Sequence, residues 1–352
     1  MPVVPKNWFM PAETAPQDRI WMAFPRESAT LGEGMVAREA GYRAWADVAL
    51  AIAPFQPVTM IVDPTEMTRA KAMLGSAVEL VERPIEHFWT RDSGPTFVQS
   101  ADGSIAAVDW IYNAWGSDDP AEWQNDRGLA RFIAGLAGVP VVSSLLVNEG
   151  GGIHVDGEGT MFATETVQLD PRRNPLADRA RVEAEFARTL GAEKVIWLPQ
   201  GLTGDYWEFG TNGHVDIVAT FPGPGTVLLH DQRNPGHPDH KVMANIRAIL
   251  EGATDAKGRR FEIIDVPAPE TITDAHGFND WSYINHLVLN GAVIACGFGE
   301  PRADAQAAEI LAAAYPGRRV VTVDAREIFA RGGGVHCITQ HQPAPLQATA
   351  RA

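Results

Sequence analysis

Near the end of the chain, nine residues combine three glycines with a thiol: Gly332-Gly333-Gly334-Val335-His336-Cys337-Ile338-Thr339-Gln340. Cys337 is one of only two cysteines among 352 residues. Glycines take backbone angles closed to other residues and let a substrate approach the main chain closely, at Gly334 for example, which suits a thiol that must reach a bound carbon. Taken alone the run is ambiguous, because a cysteine after a glycine turn is more often a small buried hydrophobe. It becomes a candidate nucleophile only if a cation or a protonated histidine comes near enough to favour the thiolate.

Four other turns dense in glycine and polar residues carry suitable partners. Trp89-Thr90-Arg91-Asp92-Ser93-Gly94-Pro95 offers Asp92, and Asn148-Glu149-Gly150-Gly151-Gly152 offers Glu149. Gly210-Thr211-Asn212-Gly213-His214-Val215-Asp216 offers a histidine and an aspartate, and Asp274-Ala275-His276-Gly277 completes the set. Asp92 and Asp216 suit a planar cation, because a guanidinium presents paired N–H donors that match carboxylate oxygens. A histidine can give a proton and then take one.

Each candidate has a plainer reading. His154-Val155-Asp156 repeats the spelling of His214-Val215-Asp216, so pattern alone does not choose between the pairs, and either aspartate could cap a turn. Glu149 could be a solvated loop carboxylate. Trp89 and Trp115 flank polar turns and could wall a cation site, although most tryptophans are core. Alternation along a strand places His336 on the side away from whatever Cys337 touches. Zinc is the competing chemistry, but these turns hold no paired cysteines and no close histidine pair, so no metal site is expected.

The elements that must position these turns follow a rhythm. Trp21 to Pro25 reads as a strand confined by its prolines to a sheet edge. Trp45, Val48, Ala49 and Ile52 recur at helical spacing until Pro54. Then strand, helix and strand alternate: 58–62, 65–74 and 78–82; 105–110, 126–137 and 139–143; 160–163, 177–190 and 194–198. The series continues with 214–220, 226–230, 240–250 and 261–266, then 284–289, 292–296, 304–314 and 319–323. Five helices thus recur about every sixty residues, one per supersecondary unit. In a closed pseudo-symmetric array, turns at one phase of each repeat converge at one end of the axis. The expected fold is therefore α/β, five similar blades in a single catalytic domain, residues 1–352. A doubly wound open sheet accounts for the alternation but not for the spacing.

Composition excludes whole classes. The 29 basic and 44 acidic residues give a net charge of −15, which argues against nucleic acid and mildly favours a cationic small molecule. No apolar run is long enough to span a membrane. Two cysteines build no disulfide framework and no basic-then-apolar leader opens the chain, so a reducing cytoplasmic compartment is expected. Assembly into a homo-oligomer stays open.

Together the turns resemble the agmatine deiminases of the bacterial-type peptidylarginine deiminase group. The matching stretches are Met10–Glu13, Trp21–Pro25, Trp89–Pro95, Asn113–Gly116, Asn148–Thr160, Asn212–Asp216, Ser282–Asn285, Gly297–Gly299 and the opening nonapeptide. The resemblance implies a five-bladed α/β propeller, the pentein fold, with one site at the axis. It implies Cys337 as nucleophile, His214 as acid and base, Asp92 and Asp216 as guanidinium clamps, and Glu149 in the same cluster. Trp89, Trp115, Arg91 and Gly334 are expected to line the substrate, and His154 to be structural. Hydrolysis would pass through a covalent amidino-thioether on Cys337, with no metal or organic cofactor. The resemblance implies agmatine as the substrate, converted to N-carbamoylputrescine and ammonia, and rim differences keep arginine or a guanidino acid as the alternative. Phe209 and Gly210 stand where an acid is usual, with Glu208 nearest, and Ser117–Pro120 and Thr273–Trp281 also depart from the pattern. A non-catalytic guanidinium-binding protein is the reading from another class.

Overall fold

The computed structural model describes residues 7–346 except 120, 122, 208, 275 and 276. The fold is α/β and built from mixed sheets, in which a recurring unit is an antiparallel hairpin, a helix, and a third strand parallel to the second. In one unit Thr96–Ser100 pairs antiparallel with Ile105–Ile111, the helix Leu129–Ala137 follows, and Val141–Val147 lies parallel to Ile105–Ile111. The next unit has Ile153–Val155, Thr160–Thr164, the helix Arg179–Leu190 and Lys194–Leu198. Then come Ala219–Gly223, Thr226–Asp231, the helix Asp239–Gly252 and Glu262–Pro267. Leu287–Leu289, Ala292–Gly297, the helix Pro301–Ala314 and Arg319–Asp324 form another.

The remaining sheet joins the two ends of the chain. Thr339–Pro343 pairs antiparallel with Gln17–Ala23, which lies parallel to Val58–Val62, itself parallel to Glu79–Glu82. This corrects the expected edge position of the opening strand, which is paired on both sides. Its prolines, Pro16 and Pro25, fall outside the strand and remove no ladder donor. The unit also begins earlier than the spacing indicates, because the helix Gly34–Ile52 is itself a crossover and Met67–Leu74 a second one.

Local chemistry explains the helix limits. Asp178 accepts from the Arg181 amide at 2.8 Å at the start of Arg179–Leu190, and Gly191 closes that helix in the left-handed region with φ 67°. The face of Gly34–Ile52 that carries Tyr42, Trp45, Val48, Ala49 and Ile52 is buried. Trp45 meets Phe88 and Trp89 edge-on, with ring centroids 5.1 and 5.3 Å away. The largest apolar cluster thereby reaches the turn that carries Asp92. Truncating Trp45 to alanine would cost about 3–5 kcal/mol. Among the described residues no helix is long and apolar enough to cross a membrane.

Two expected strands start late. Residues 214–218 form a turn, closed by Val218 N donating to Val215 O at 2.8 Å, and the strand begins at Ala219. Residues 335–338 are likewise a turn, with Thr339 N donating to His336 O at 3.1 Å. The fourth turn is also displaced. Thr273–Asp274 pairs with Gly277–Phe278 in a separate short hairpin, with Ala275 and His276 outside the described residues. The segment that precedes Leu287–Leu289, as the other turns precede their hairpins, is Ser282–His286.

Candidate active site

Each functional side chain sits just ahead of a strand with an antiparallel partner, and backbone and side-chain hydrogen bonds stitch the five turns into a closed ring. Gly151 N donates to Asp92 Oδ1 at 3.0 Å. Val215 N and Asp216 N donate to Gly151 O at 3.1 and 3.3 Å. Asn285 Nδ2 donates to Asp216 O at 3.3 Å, and His336 N donates to Asn285 Oδ1 at 2.9 Å. Arg91 N closes the circuit on Cys337 O at 3.2 Å. Cys337, His214, Asp92, Asp216 and Glu149 thus converge, none more than 4% exposed, so charges among them act with little water between.

The Sγ of Cys337 lies 3.4 Å from Asp216 Oδ2 and 3.2 Å from Asn285 Nδ2. Burial pushes the thiol well up, and the Asp216 and Asp92 carboxylates push it further, against the backbone of Gly334 and the Asn285 amide. The thiol therefore holds its proton until a cation arrives. Asp216 Oδ2 also accepts from His336 Nδ1 at 2.8 Å, whereas Asp216 Oδ1 is buried without a partner.

His214 Nε2 lies 3.4 Å from Glu149 Oε2, and its Nδ1, 3.8 Å from Asp92 Oδ1, has no hydrogen-bond partner. Burial pulls the imidazole down, but Asp92, Glu149 and Asp216 outweigh it and hold His214 up at about 9. Burial raises Asp92 to about 6, with Asp216 and Glu149 adding to the rise and His214 opposing it. Glu149 is lowered in spite of burial, because Arg173 Nε contacts both its oxygens at 2.9 and 3.1 Å. Arg173 thus matches Glu149, and His336 contacts Asp216, while the raised His214 stands between Glu149 and Asp92.

Above the cluster opens a cleft of about 630 Å³ lined by Glu27, Glu86, Trp115, Phe209 and Asn212 among others. Trp115 links it to the site, its Nε1 donating to Asp92 Oδ2 at 2.9 Å. Ala114, Trp115, Phe209 and Asn212, with φ of 49°, 58°, 66° and 68°, are the non-glycine residues in the left-handed region among those described. All four line this cleft, a concentration of strain of the kind found at ligand sites.

Not every expected lining residue faces that cleft. Trp89 flanks Gly333, where an added Cβ would lie 2.9 Å from the Trp89 ring and 3.0 Å from Cys337 Sγ. Gly334 is pressed against Asn285, whose Oδ1 would lie 2.4 Å from an added Cβ. Arg91 turns inward instead. Its side chain is buried on the carbonyl of His336, Glu13 Oε1 and His341 Nδ1 at 3.3, 3.3 and 3.0 Å, and it lines a separate small cavity. The expectation that Arg91 touches the substrate is corrected by this placement, since its donors are spent on the interior.

His336 also departs from expectation. Because residues 335–338 form a turn, alternation does not apply, and His336 bonds the same oxygen of Asp216 that Cys337 approaches. The doubled His-Val-Asp spelling separates cleanly. His154 contacts Thr220 Oγ1 at 2.7 Å, and Asp156 Oδ1 caps a turn through Glu158 N and Thr160 N at 2.7 and 2.9 Å.

Several site residues escaped sequence reasoning. Asn285 stands two residues ahead of its strand, as Cys337 does, a phase that could have marked it. Asp205 accepts from Thr211 N, Thr211 Oγ1, Gly213 N and His214 N at 2.7, 2.6, 2.7 and 2.9 Å, and so builds the His214 turn. Arg173 carried no local signal. Among the described residues no group of three or more His, Cys, Asp or Glu is arranged to hold a metal ion.

A buried thiol, a raised histidine and carboxylates poised for a cation define a guanidine-modifying type of site, and the comparisons with known proteins agree. The profile of the Porphyromonas-type peptidyl-arginine deiminases matches residues 9–343, and the chain belongs to that family. A Streptomyces coelicolor protein provisionally named agmatine deiminase is 54% identical over 337 residues, 95% of this chain and 98% of that one. The agmatine deiminase of Ectopseudomonas mendocina is 40% identical over 96% of both chains. Among solved structures, an agmatine deiminase of Enterococcus faecalis superposes with a TM-score of 0.88 at 30% identity, covering 97% of this chain and 98% of that one.

Proposed function

We propose that this protein is an agmatine deiminase, converting agmatine and water to N-carbamoylputrescine and ammonia. The observation that carries the reading is the meeting of Cys337 with His214, Asp92 and Asp216, with Asp216 Oδ1 buried and unpartnered. A bound guanidinium would satisfy that oxygen. Relatives named agmatine deiminase along nearly the whole chain supply the substrate.

The guanidinium lies between Asp92 and Asp216, and its charge lowers the thiol, which loses its proton to solvent. The thiolate attacks the guanidinium carbon and forms the C–S bond. His214, protonated, gives its proton to the departing nitrogen, the C–N bond breaks and ammonia leaves. Water then attacks the amidino-thioether and gives a proton to His214. The C–S bond breaks, the remaining hydroxyl proton passes to solvent, and the thiolate and the ureido product are released. Glu149 holds the His214 ring through Nε2, and Asn285 Nδ2 donates to the sulfur as it takes charge.

The five units, four opened by a hairpin and the fifth by the antiparallel pairing of the chain's two ends, are arranged as blades of one propeller about a common axis, in a single catalytic domain. The closed ring of turns supports this, because it joins each turn to the next and the fifth to the first. Two free thiols suit a reducing, cytoplasmic setting.

Incubation with agmatine, arginine and guanidinobutyrate in turn, with ammonia and ureido product assayed, tests the function. Agmatine turnover well above the others is expected; inactivity on agmatine beside good turnover of another compound would overturn the substrate. Cys337→Ala is expected to abolish hydrolysis and keep agmatine binding. A chain that only binds guanidinium groups would show no turnover before the substitution.

A further inference from the structure

Behind the nucleophile turn lies a charged network that the reaction above does not use. His336 places Nδ1 2.8 Å from Asp216 Oδ2 and Nε2 2.7 Å from Glu13 Oε1. Ionised carboxylates only accept, so a ring held at such distances by two of them donates from both nitrogens and is an imidazolium. Glu13 is in turn flanked by Arg91 Nη1 at 3.3 Å and His154 Nε2 at 3.8 Å; burial pushes it up, but His336 foremost, with Arg91 and His154, holds it well below the carboxylate range.

The main chain of His336 is fixed as well. Its N–H is taken by Asn285 Oδ1, and its carbonyl by Arg91 Nε and Thr339 N. The ring is therefore carried on a fixed stretch of backbone, with both nitrogens already engaged.

We infer that Glu13 and His336 are a positioning pair for the guanidinium subsite: the imidazolium, anchored by Glu13, engages Asp216 Oδ2 and so leaves Asp216 Oδ1 bare toward the substrate. Without it, Asp216 would be free to turn Oδ2 outward, and would face Asp92 and Glu149 uncompensated on that side. The other groups around His336 do not replace it. Arg91 is committed to Glu13, the His336 carbonyl and His341. His154 and His341 stand with ring centroids 6.3 Å from His336. His341 accepts at Nδ1 from Arg91, gives Nε2–H to Val288 O at 3.1 Å, and stays neutral, held down at about 3. His286, also neutral and held at about 4, is occupied by Tyr283 O and Tyr315.

This assignment rests on the agmatine reading, and its test separates the two. In a Cys337→Ala background, where binding is free of chemistry, agmatine and guanidinium chloride are titrated by calorimetry against C337A, E13Q/C337A and H336Q/C337A. Each variant is first checked for a native circular dichroism spectrum and melting transition. Both clamp variants are expected to bind at least about tenfold more weakly than C337A. In the otherwise native enzyme, E13Q is expected to raise KM far more than it lowers kcat, as loss of binding common to ground and transition states does. It should also move the acid limb of kcat/KM to higher pH, because an unclamped Asp216 protonates more readily. If H336Q does not fold, E13Q decides alone, since the carboxamide keeps the shape and loses only the charge. Affinity, KM and acid limb unchanged in folded E13Q would overturn the clamp while leaving agmatine turnover intact. No turnover by the native enzyme beside weakened binding in the variants would overturn the function and keep the clamp. Absence of binding to C337A itself would overturn both.

Discussion

The Sγ of Cys337 lies 3.4 Å from Oδ2 of Asp216, so a carboxylate assigned to the substrate's charge also disfavours the thiolate. Alkylation of the free protein by iodoacetamide should therefore be slow at neutral pH and quicken only well above the ordinary thiol range. Asp216→Asn removes the opposing charge. It is expected to speed alkylation at pH 8 by about tenfold while reducing agmatine turnover by at least about a hundredfold. Equal loss of both would mean that Asp216 does not oppose the thiolate.

The pH profile depends on Asp92 and His214. Asp92 must be ionised to hold the guanidinium, and burial places it at about 6. His214 must be protonated to release ammonia and sits at about 9. Because thiol ionisation makes kcat/KM for agmatine climb with pH, that climb should be steeper below about 6, where Asp92 takes a proton, and should level off above about 9, where His214 loses one. Glu149→Gln removes one of the carboxylates that raise His214 and should move the levelling to lower pH.

His214 also links pH to stability. Its folded value of about 9 lies above the ordinary 6.5. The stabilisation it contributes is complete below about 6.5 and is lost as pH rises through about 9, a change of roughly 3 kcal/mol at most. Melting temperature should fall between pH 6.5 and 9 in the native protein and fall less in His214→Asn. A parallel decline in the variant would place the effect elsewhere.

Asp205 touches no reacting atom, yet it accepts four hydrogen bonds from the Thr211–His214 turn. Asp205→Ala leaves the Thr211 and Gly213 amides and the Thr211 hydroxyl unmatched, while His214 N keeps only Thr211 Oγ1 at 3.2 Å. A stability loss of about 2–4 kcal/mol is expected in denaturant unfolding, with kcat down by about tenfold or more because His214 loses its seat. Full kcat in a folded Asp205→Ala would show that the turn holds itself.

The helices and most strands were legible because hairpin, helix and parallel strand bury different periods of the same chain. Val58–Val62 and Lys194–Leu198 fall where the pattern puts them. The principal side chains were legible for another reason, since Cys337, Glu149 and His214 sit in glycine-rich turns where little else explains a polar residue. What sequence hid is mostly long-range. Glu13 reaches His336 across 323 positions, Arg173 meets Glu149 from another loop, and Asp205 acts through backbone amides that carry no side-chain signature. Strand alternation misplaces His336 because residues 335–338 form a turn, and Arg91 points into the interior although Asp92 beside it reaches the cluster.

Gly151 stands where a side chain cannot. A Cβ added there would lie 2.5 Å from His214 Nδ1 and 3.0 Å from both Asp216 Oδ2 and Asp92 Oδ1, at the centre of the groups that hold and protonate the substrate. Its amide and carbonyl already bind the turns of Asp92 and Asp216 together, so the backbone cannot withdraw to make room. Gly151 is not among the positive-φ glycines, and alanine therefore meets no dihedral penalty. Gly151→Ala is expected to displace the His214 ring and lower kcat for agmatine by at least about a hundredfold, since small displacements of reacting groups are costly. Melting temperature should drop by only a few degrees, in keeping with a loss of about 1–3 kcal/mol from overpacking. Activity near that of the native protein would mean that the ring of turns opens wide enough to admit a methyl group, and that the close approach seen at Gly151 is not needed for turnover.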